Sequence, residues 1–253
     1  MQGGPFDLTA ALLLAASPFV GGFMATVVRR LADGEGDLWG WTTCSGCGAP
    51  ASLADHFPVA AWRRLGRCCR HCGAARDRMF LIVEIAALVT AGWAAAFLPA
   101  SQVAAGCGLG WTLLTLAAID IRRGILPDIL TFPLGAAGLL LTGIAAPADL
   151  PAHFAGALAG YAAFFAIREL YWRLRGQEGL GLGDVKLLAA AGARVSLDGL
   201  PSVILIASMS GLLITVLGTT VGRRAKLEDR LPFGPCLCFS SWVVWVHGPL
   251  GFF

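Results

Sequence analysis

Two groups of side chains in this sequence stand where they could do chemistry. The first is a set of carboxylates in apolar surroundings. Asp120 ends an apolar run in Ala-Ile-Asp120-Ile-Arg-Arg-Gly-Ile-Leu-Pro127-Asp128, Asp184 opens another in Gly181-Leu-Gly183-Asp184-Val-Lys186, and Glu84 stands near the start of a third. An ionisable group held beside hydrocarbon is costly, which makes it a functional candidate by default. Two Asp at one depth suit paired acid/base work. Carboxylates about 3 Å apart cannot both ionise, so one is free to activate water while the other protonates or polarises a scissile carbonyl. Gly181 and Gly183 permit backbone conformations and close approach that a Cβ would resist. Pro127 is expected to break the helix after Asp120 and open a cavity where irregular backbone is tolerated. Structural roles compete with these. Asp120 and Asp128 could pair with Arg122 or Arg123, Asp184 could be an acidic residue favoured at a helix N-terminus with Lys186 solvated beside it, and Glu84 could hold an Arg.

The second group is cysteine. Cys44-Ser-Gly-Cys47 and Cys69-Arg-His-Cys72 are two CxxC knuckles, each followed by glycine, Gly48 and Gly73. Four thiolates suit tetrahedral zinc, and a closed four-Cys site is structural because no position remains for water. Twenty-one residues separate Cys47 from Cys69, slightly beyond the common zinc-ribbon spacing. Cys68 competes with Cys69 as the third ligand. Disulfides or a redox pair are the alternatives; a reducing compartment and the lack of a βαβ context disfavour them. Cys107, Cys236 and Cys238 lie in apolar runs and read as small buried hydrophobes.

The elements that must position these groups follow from composition. The chain of 253 residues is 57% hydrophobic and 14% charged, with mean hydropathy +0.71, and so few charges could not cover a soluble domain of this size. Apolar runs of spanning length recur at 8–28, 80–98, 103–119, 129–147, 151–167, 185–200, 202–221 and 233–252. The sixth is short and carries Arg194. The expected fold is an all-α polytopic membrane protein of about eight transmembrane helices. Eighteen of the nineteen Lys and Arg fall in 29–79, 120–128, 168–186 and 222–231, a positive-inside asymmetry that puts these segments in the cytoplasm and both termini outside. Asp120, Asp184 and Glu84 then all sit toward the cytoplasmic face. Segment 29–79 alone is large enough to fold there, and at this size it needs a staple such as zinc. The expected organisation is a first helix (1–28), a four-Cys zinc domain (29–79) and a transmembrane domain (80–253). Lipid is the expected surrounding and nucleic acid is not an expected partner. Gly156-Ala-Leu-Ala-Gly160 is a GxxxG pattern for close helix packing.

Taken in order, these residues resemble the bacterial type IV prepilin peptidases, the leader peptidase/N-methyltransferases among the GxGD aspartic proteases. Gly21-Gly22-Phe23-Met24-Ala25-Thr26-Val27-Val28-Arg29-Arg30-Leu31 is similar to the family's GSFLNVVIxRL. The knuckles are similar to its zinc domain, with Gly66-Arg67 before the second. Leu81-Ile82-Val83-Glu84 is similar to PLVE, and Asp120 seven residues before Pro127 to DxxxxxxPN/D. Gly181–Leu187 matches GxGDxKL, and Leu231-Pro232-Phe233-Gly234-Pro235 matches PFGP.

The resemblance implies an inner-membrane aspartic endopeptidase with Asp120 and Asp184 as the catalytic pair. Gly181, Gly183, Lys186, Glu84 and Pro127 would be supporting residues, and Cys44, Cys47, Cys69 and Cys72 would bind zinc. It implies prepilin or pseudopilin substrates, cut on the cytoplasmic side after a Gly, and methylation of the new amine with S-adenosylmethionine. Ala25-Thr26 stands where the family has Asn, and Asp55-His56-Phe57-Pro58 replaces a DNIP-like stretch. Both departures fall in the part tied to methylation and zinc. The alternatives from the residues are a membrane transporter using the same carboxylates, or another GxGD protease of preflagellin or signal-peptide type.

Overall fold

The computed structural model describes residues 8–33, 47–49, 71–73, 78–177, 179–220 and 233–251. Among these the chain is all-α. The helices are α1 (Leu8–Asp33), α2 (Arg78–Phe97), α3 (Ala100–Arg123), α4 (Asp128–Ala145), α5 (Leu150–Arg175), α6 (Leu182–Thr220) and α7 (Gly234–His247), with one 3-10 turn at Pro147–Asp149. Six segments, those of α1 through α6, are long and apolar enough to cross a membrane. Their outer faces remain apolar: Ile144 is 80% exposed and Leu174 74%. Water would penalise such surface, whereas lipid accepts it. The run at 233–252 forms the shorter α7, whose 14 residues rise about 21 Å, less than a ~30 Å hydrocarbon core. It is buried along most of its length, from Gly234 to Val244.

The chain divides into two compact units, Met1–Ile119 and Asp120–Phe253. In the first, α1 and α2 approach closely at Gly21, where an added Cβ would lie 2.7 Å from the Cα of Glu84. Ala25 and Val28 of α1 and Val83, Ala87 and Ala91 of α2 are buried with them. The Trp111 indole N–H donates to the Ala87 carbonyl at 3.1 Å, tying α3 to α2.

In the second unit, α6 is broken at Ser196 (φ 64°, ψ −178°). A Cβ on Gly199 would sit 2.8 Å from the Cβ of Val195, whereas residues four apart in one helix keep theirs about 5–6 Å apart. The chain therefore doubles back. The first arm runs against α5, with Gly192 on Gly156 and Leu188 on Gly160, confirming the close packing expected of the GxxxG pattern. The second arm runs against α7, with Gly199 beside Val244 and Gly211 beside Phe233 and Cys236. Arg194, two residues before the break, lies over the Trp245 ring at 5.7 Å.

The end of α3 differs from expectation. The stop belongs to Gly124 rather than Pro127. Gly124 takes the left-handed conformation (φ +66°) and its N–H returns to the Asp120 carbonyl at 2.8 Å, a common glycine C-cap. Pro127 instead occupies the N-cap of α4 in extended conformation. Its carbonyl accepts from the Leu130 and Thr131 amides and from the Thr131 hydroxyl.

Candidate active site

Asp120 lies in the last turn of α3 and is 6% exposed. Asp184 is the third residue of α6 and only partly buried. Though 64 positions apart in sequence, the two carboxyl groups are close enough for the charge of one to act on the other. The fold thus brings together the two carboxylates singled out by their apolar setting.

Backbone amides complete the immediate surroundings. The Gly181 N–H is within hydrogen-bonding reach of the Asp184 carboxyl, and the Asp184 N–H returns to the Gly181 carbonyl at 3.2 Å. A Cβ on Gly181 would stand 3.3 Å from Asp184 Oδ2. The first-turn position also offers the unsatisfied amides of a helix start to a carboxylate. Across the site, the Gly234 N–H at the start of α7 is within reach of the Asp120 carboxyl. Asp120 Oδ2 is buried and has no hydrogen-bond partner among the described residues. One oxygen of the pair is thereby left to meet a water or a substrate atom.

The loop between α3 and α4 is fastened to the start of α6. A Cβ on Gly183 would lie 2.9 Å from the Cβ of Leu126, so only glycine fits there without displacing the loop. The Lys186 ammonium donates to both carboxylate oxygens of Asp128, at 2.7 and 2.8 Å. Asp128 thus has Lys186 as a partner, and Lys186 is not simply solvated as the sequence suggested.

Glu84 is 3% exposed and sits where α1 and α2 approach, in the first unit. Of the cysteines, Cys44, Cys68 and Cys69 lie outside the described residues. Cys47 and Cys72 are exposed, and Cys107, Cys236 and Cys238 are buried as expected. Among the described residues there is no cluster of three or more His, Cys, Asp or Glu placed to hold a metal. Gly48 and Gly73 share one conformation, φ +70° and +68°. The part of Gly234 and Leu126 at the site was not evident from sequence. Gly234 was visible only as a member of the Pro-Phe-Gly-Pro run, and Leu126 carried no signal.

The all-α fold, with six helices long and apolar enough to cross a membrane, fits a polytopic membrane protein. Two family models match: the Type IV leader peptidase family over residues 107–216 and the Bacterial Peptidase A24 N-terminal domain over 16–98. The chain is similar to proteins named prepilin leader peptidase/N-methyltransferase. The relative from Burkholderia pseudomallei (strain 1026b) is 40% identical over 197 residues, covering 78% of this chain and 63% of the relative. That from Aeromonas salmonicida (strain A449) is 34% identical over 206 residues, 81% and 70%. That from Pseudomonas aeruginosa is 32% identical over 208 residues, 82% and 71%. No solved structure matches the chain significantly. The chain belongs to the type IV leader peptidase family, and it spans less than two thirds of the length of the Burkholderia relative.

Proposed function

We propose that this protein is an intramembrane aspartic endopeptidase that removes the leader of prepilins or pseudopilins. The observation that carries the proposal is the packing of Gly183 on Leu126, which sets Asp184 at the start of α6 beside the loop that follows Asp120, on two membrane-length helices. In this mechanism the pair shares one proton, as adjacent carboxylates do. The ionised member takes a proton from water, whose oxygen attacks the scissile carbonyl carbon. The protonated member polarises the carbonyl oxygen and gives up its proton, and the amine leaves with a proton as the C–N bond breaks. Asp184, being partly exposed, is the member water reaches more readily, while the buried Asp120 is braced by the Gly234 amide.

The protein crosses the inner membrane eight times in this proposal, with the two arms of α6 counted separately and α7 as a short crossing sheltered by protein along most of its length. Support comes from the doubling back at Ser196: a straight α6 of 39 residues would be about 58 Å long, nearly twice a ~30 Å core. With both termini outside, the pair meets the cytoplasmic boundary, where 18 of 19 basic residues lie. A basic leader would remain on that side by the same charge rule. The cut then falls after the leader's Gly, ahead of the substrate's apolar helix.

The segment 29–79 is the proposed zinc domain, ahead of a peptidase domain at 80–253. Cys44, Cys47, Cys69 and Cys72 would hold the ion. Gly48 and Gly73 fit this role: each follows the second cysteine of its knuckle in the left-handed conformation, which glycine adopts without strain. The ion would supply a structural cross-link and no chemistry at the carboxylates. Methylation of the new amino terminus, with S-adenosylmethionine as donor, is a second activity proposed from the family alone. Cleavage of a prepilin by the purified chain, followed by mass spectrometry of the product's N-terminus, tests both activities. An uncleaved substrate refutes the first, and a cleaved but unmethylated product refutes the second.

A further inference from the structure

The loop after Asp120 is clasped to the start of α6 at two points that flank Asp184. On one side Leu126 packs on Gly183. On the other, the Lys186 ammonium bridges both oxygens of Asp128 at 2.7 and 2.8 Å and stands 5.5 Å from the Phe132 ring centre, one turn further along α4. The ammonium is thus held between a carboxylate and an aromatic face on a single helix. Asp128 also opens α4, where a negative charge suits the helix start.

Such a pair does little for stability. The Lys186 side chain is 23% exposed and that of Asp128 51%, and half-exposed ion pairs add little to folding. Its place is more telling than its strength. Lys186 is two residues beyond Asp184, and Asp128 is eight beyond Asp120. The bridge therefore fixes the start of α6 against the end of α3, and with it the spacing of the two carboxylates. We propose that Lys186 and Asp128 act as one positioning unit for the reacting pair. The inference rests on reading Asp120 and Asp184 as that pair. Misplacing a reacting group by about 1 Å is enough to cost ~10²-fold in rate.

The test compares full-length protein carrying Lys186→Met, Asp128→Asn, both together, or Lys186→Arg, with Asp184→Asn in parallel. The readouts are kcat and KM on a prepilin substrate and the melting temperature in detergent. Each neutralising variant is expected to lower kcat by about 10- to 100-fold with KM changed less than about threefold and melting unchanged. The double variant should be no slower than the slower single, since both changes break one contact. Lys186→Arg, which keeps the charge, should recover most of the rate. The proposal is overturned if the single variants keep kcat within twofold, if the loss falls on KM, if it tracks a lower melting temperature, or if the two losses multiply. Cleavage by Asp184→Asn would overturn the reading of the pair and the positioning role with it. An inactive Asp184→Asn beside a fully active Lys186→Met would overturn the positioning role alone.

Discussion

Replacing Gly234 by alanine places one methyl group against the proposed catalytic carboxylate. Its Cβ would lie 2.6 Å from Asp120 Oδ2, 2.9 Å from Cγ and 3.4 Å from Cβ. Ordinary contact begins at 3.4 Å, so the carboxylate oxygen must withdraw by roughly 0.8 Å or α7 must move by as much. Neither gives easily: Asp120 is 6% exposed, and Cys236, Leu237 and Cys238 are buried on the next turn of α7. Overpacking of this kind costs about 1–3 kcal/mol of stability. The effect on catalysis should be larger in proportion, because a displacement near 1 Å is worth ~10²-fold in rate. Gly234→Ala is therefore expected to lower kcat about 100-fold with KM nearly unchanged, measured on purified protein with a prepilin substrate and mass-spectrometric detection. Gly108→Ala is the control. That position is exposed on α3 with nothing within 4 Å of the added Cβ, and alanine there should preserve activity while favouring the helix by up to ~1 kcal/mol. A Gly234→Ala protein with kcat within twofold of the parent would refute the reasoning, because the carboxylate would then tolerate displacement or not take part.

Other substitutions probe the frame and the metal. Gly192→Ala would drive a methyl group into the Gly156 carbonyl; a loss of about 1–3 kcal/mol is expected, seen as a lower melting temperature in detergent. Ser196 sits at φ 64°, ψ −178°, a region that costs a non-glycine residue about 1–3 kcal/mol. Ser196→Gly should therefore raise the melting temperature, and Ser196→Val should lower it. Metal analysis should find about one zinc per chain, lost when Cys44→Ser and Cys72→Ser are combined. A metal-free, fully active protein would remove the zinc proposal and leave the peptidase untouched.

The helices were legible because bilayer-length apolar runs are long, repeated and sharply bounded by charge. Asp120 and Asp184 were legible for a related reason: a carboxylate next to such a run stands out by its cost. What sequence misplaced were the breaks. Runs 185–200 and 202–221 part at position 201, whereas the chain turns five residues earlier, at Ser196. Pro201 is the fifth residue of the second arm, past the four amides a helix start leaves unpaired, and the helix continues through it. In the same way Pro127 drew attention from Gly124, whose left-handed backbone ends α3. The contacts across the site were hidden for another reason. Lys186 and Asp128 are 58 residues apart, and nothing in either local pattern reports which Asp a Lys will meet. Gly234 belonged to a recognisable run, but its approach to Asp120 exists only once α7 is packed.

The central claim is that Asp120 and Asp184 together cut the substrate. The measurement is in-membrane cleavage of a prepilin by Asp120→Ala and Asp184→Ala proteins shown to be folded by their melting in detergent, with mass spectrometry of the product. Both are expected to leave the leader uncut while melting like the parent. Cleavage at the parent site by either purified variant would contradict the claim.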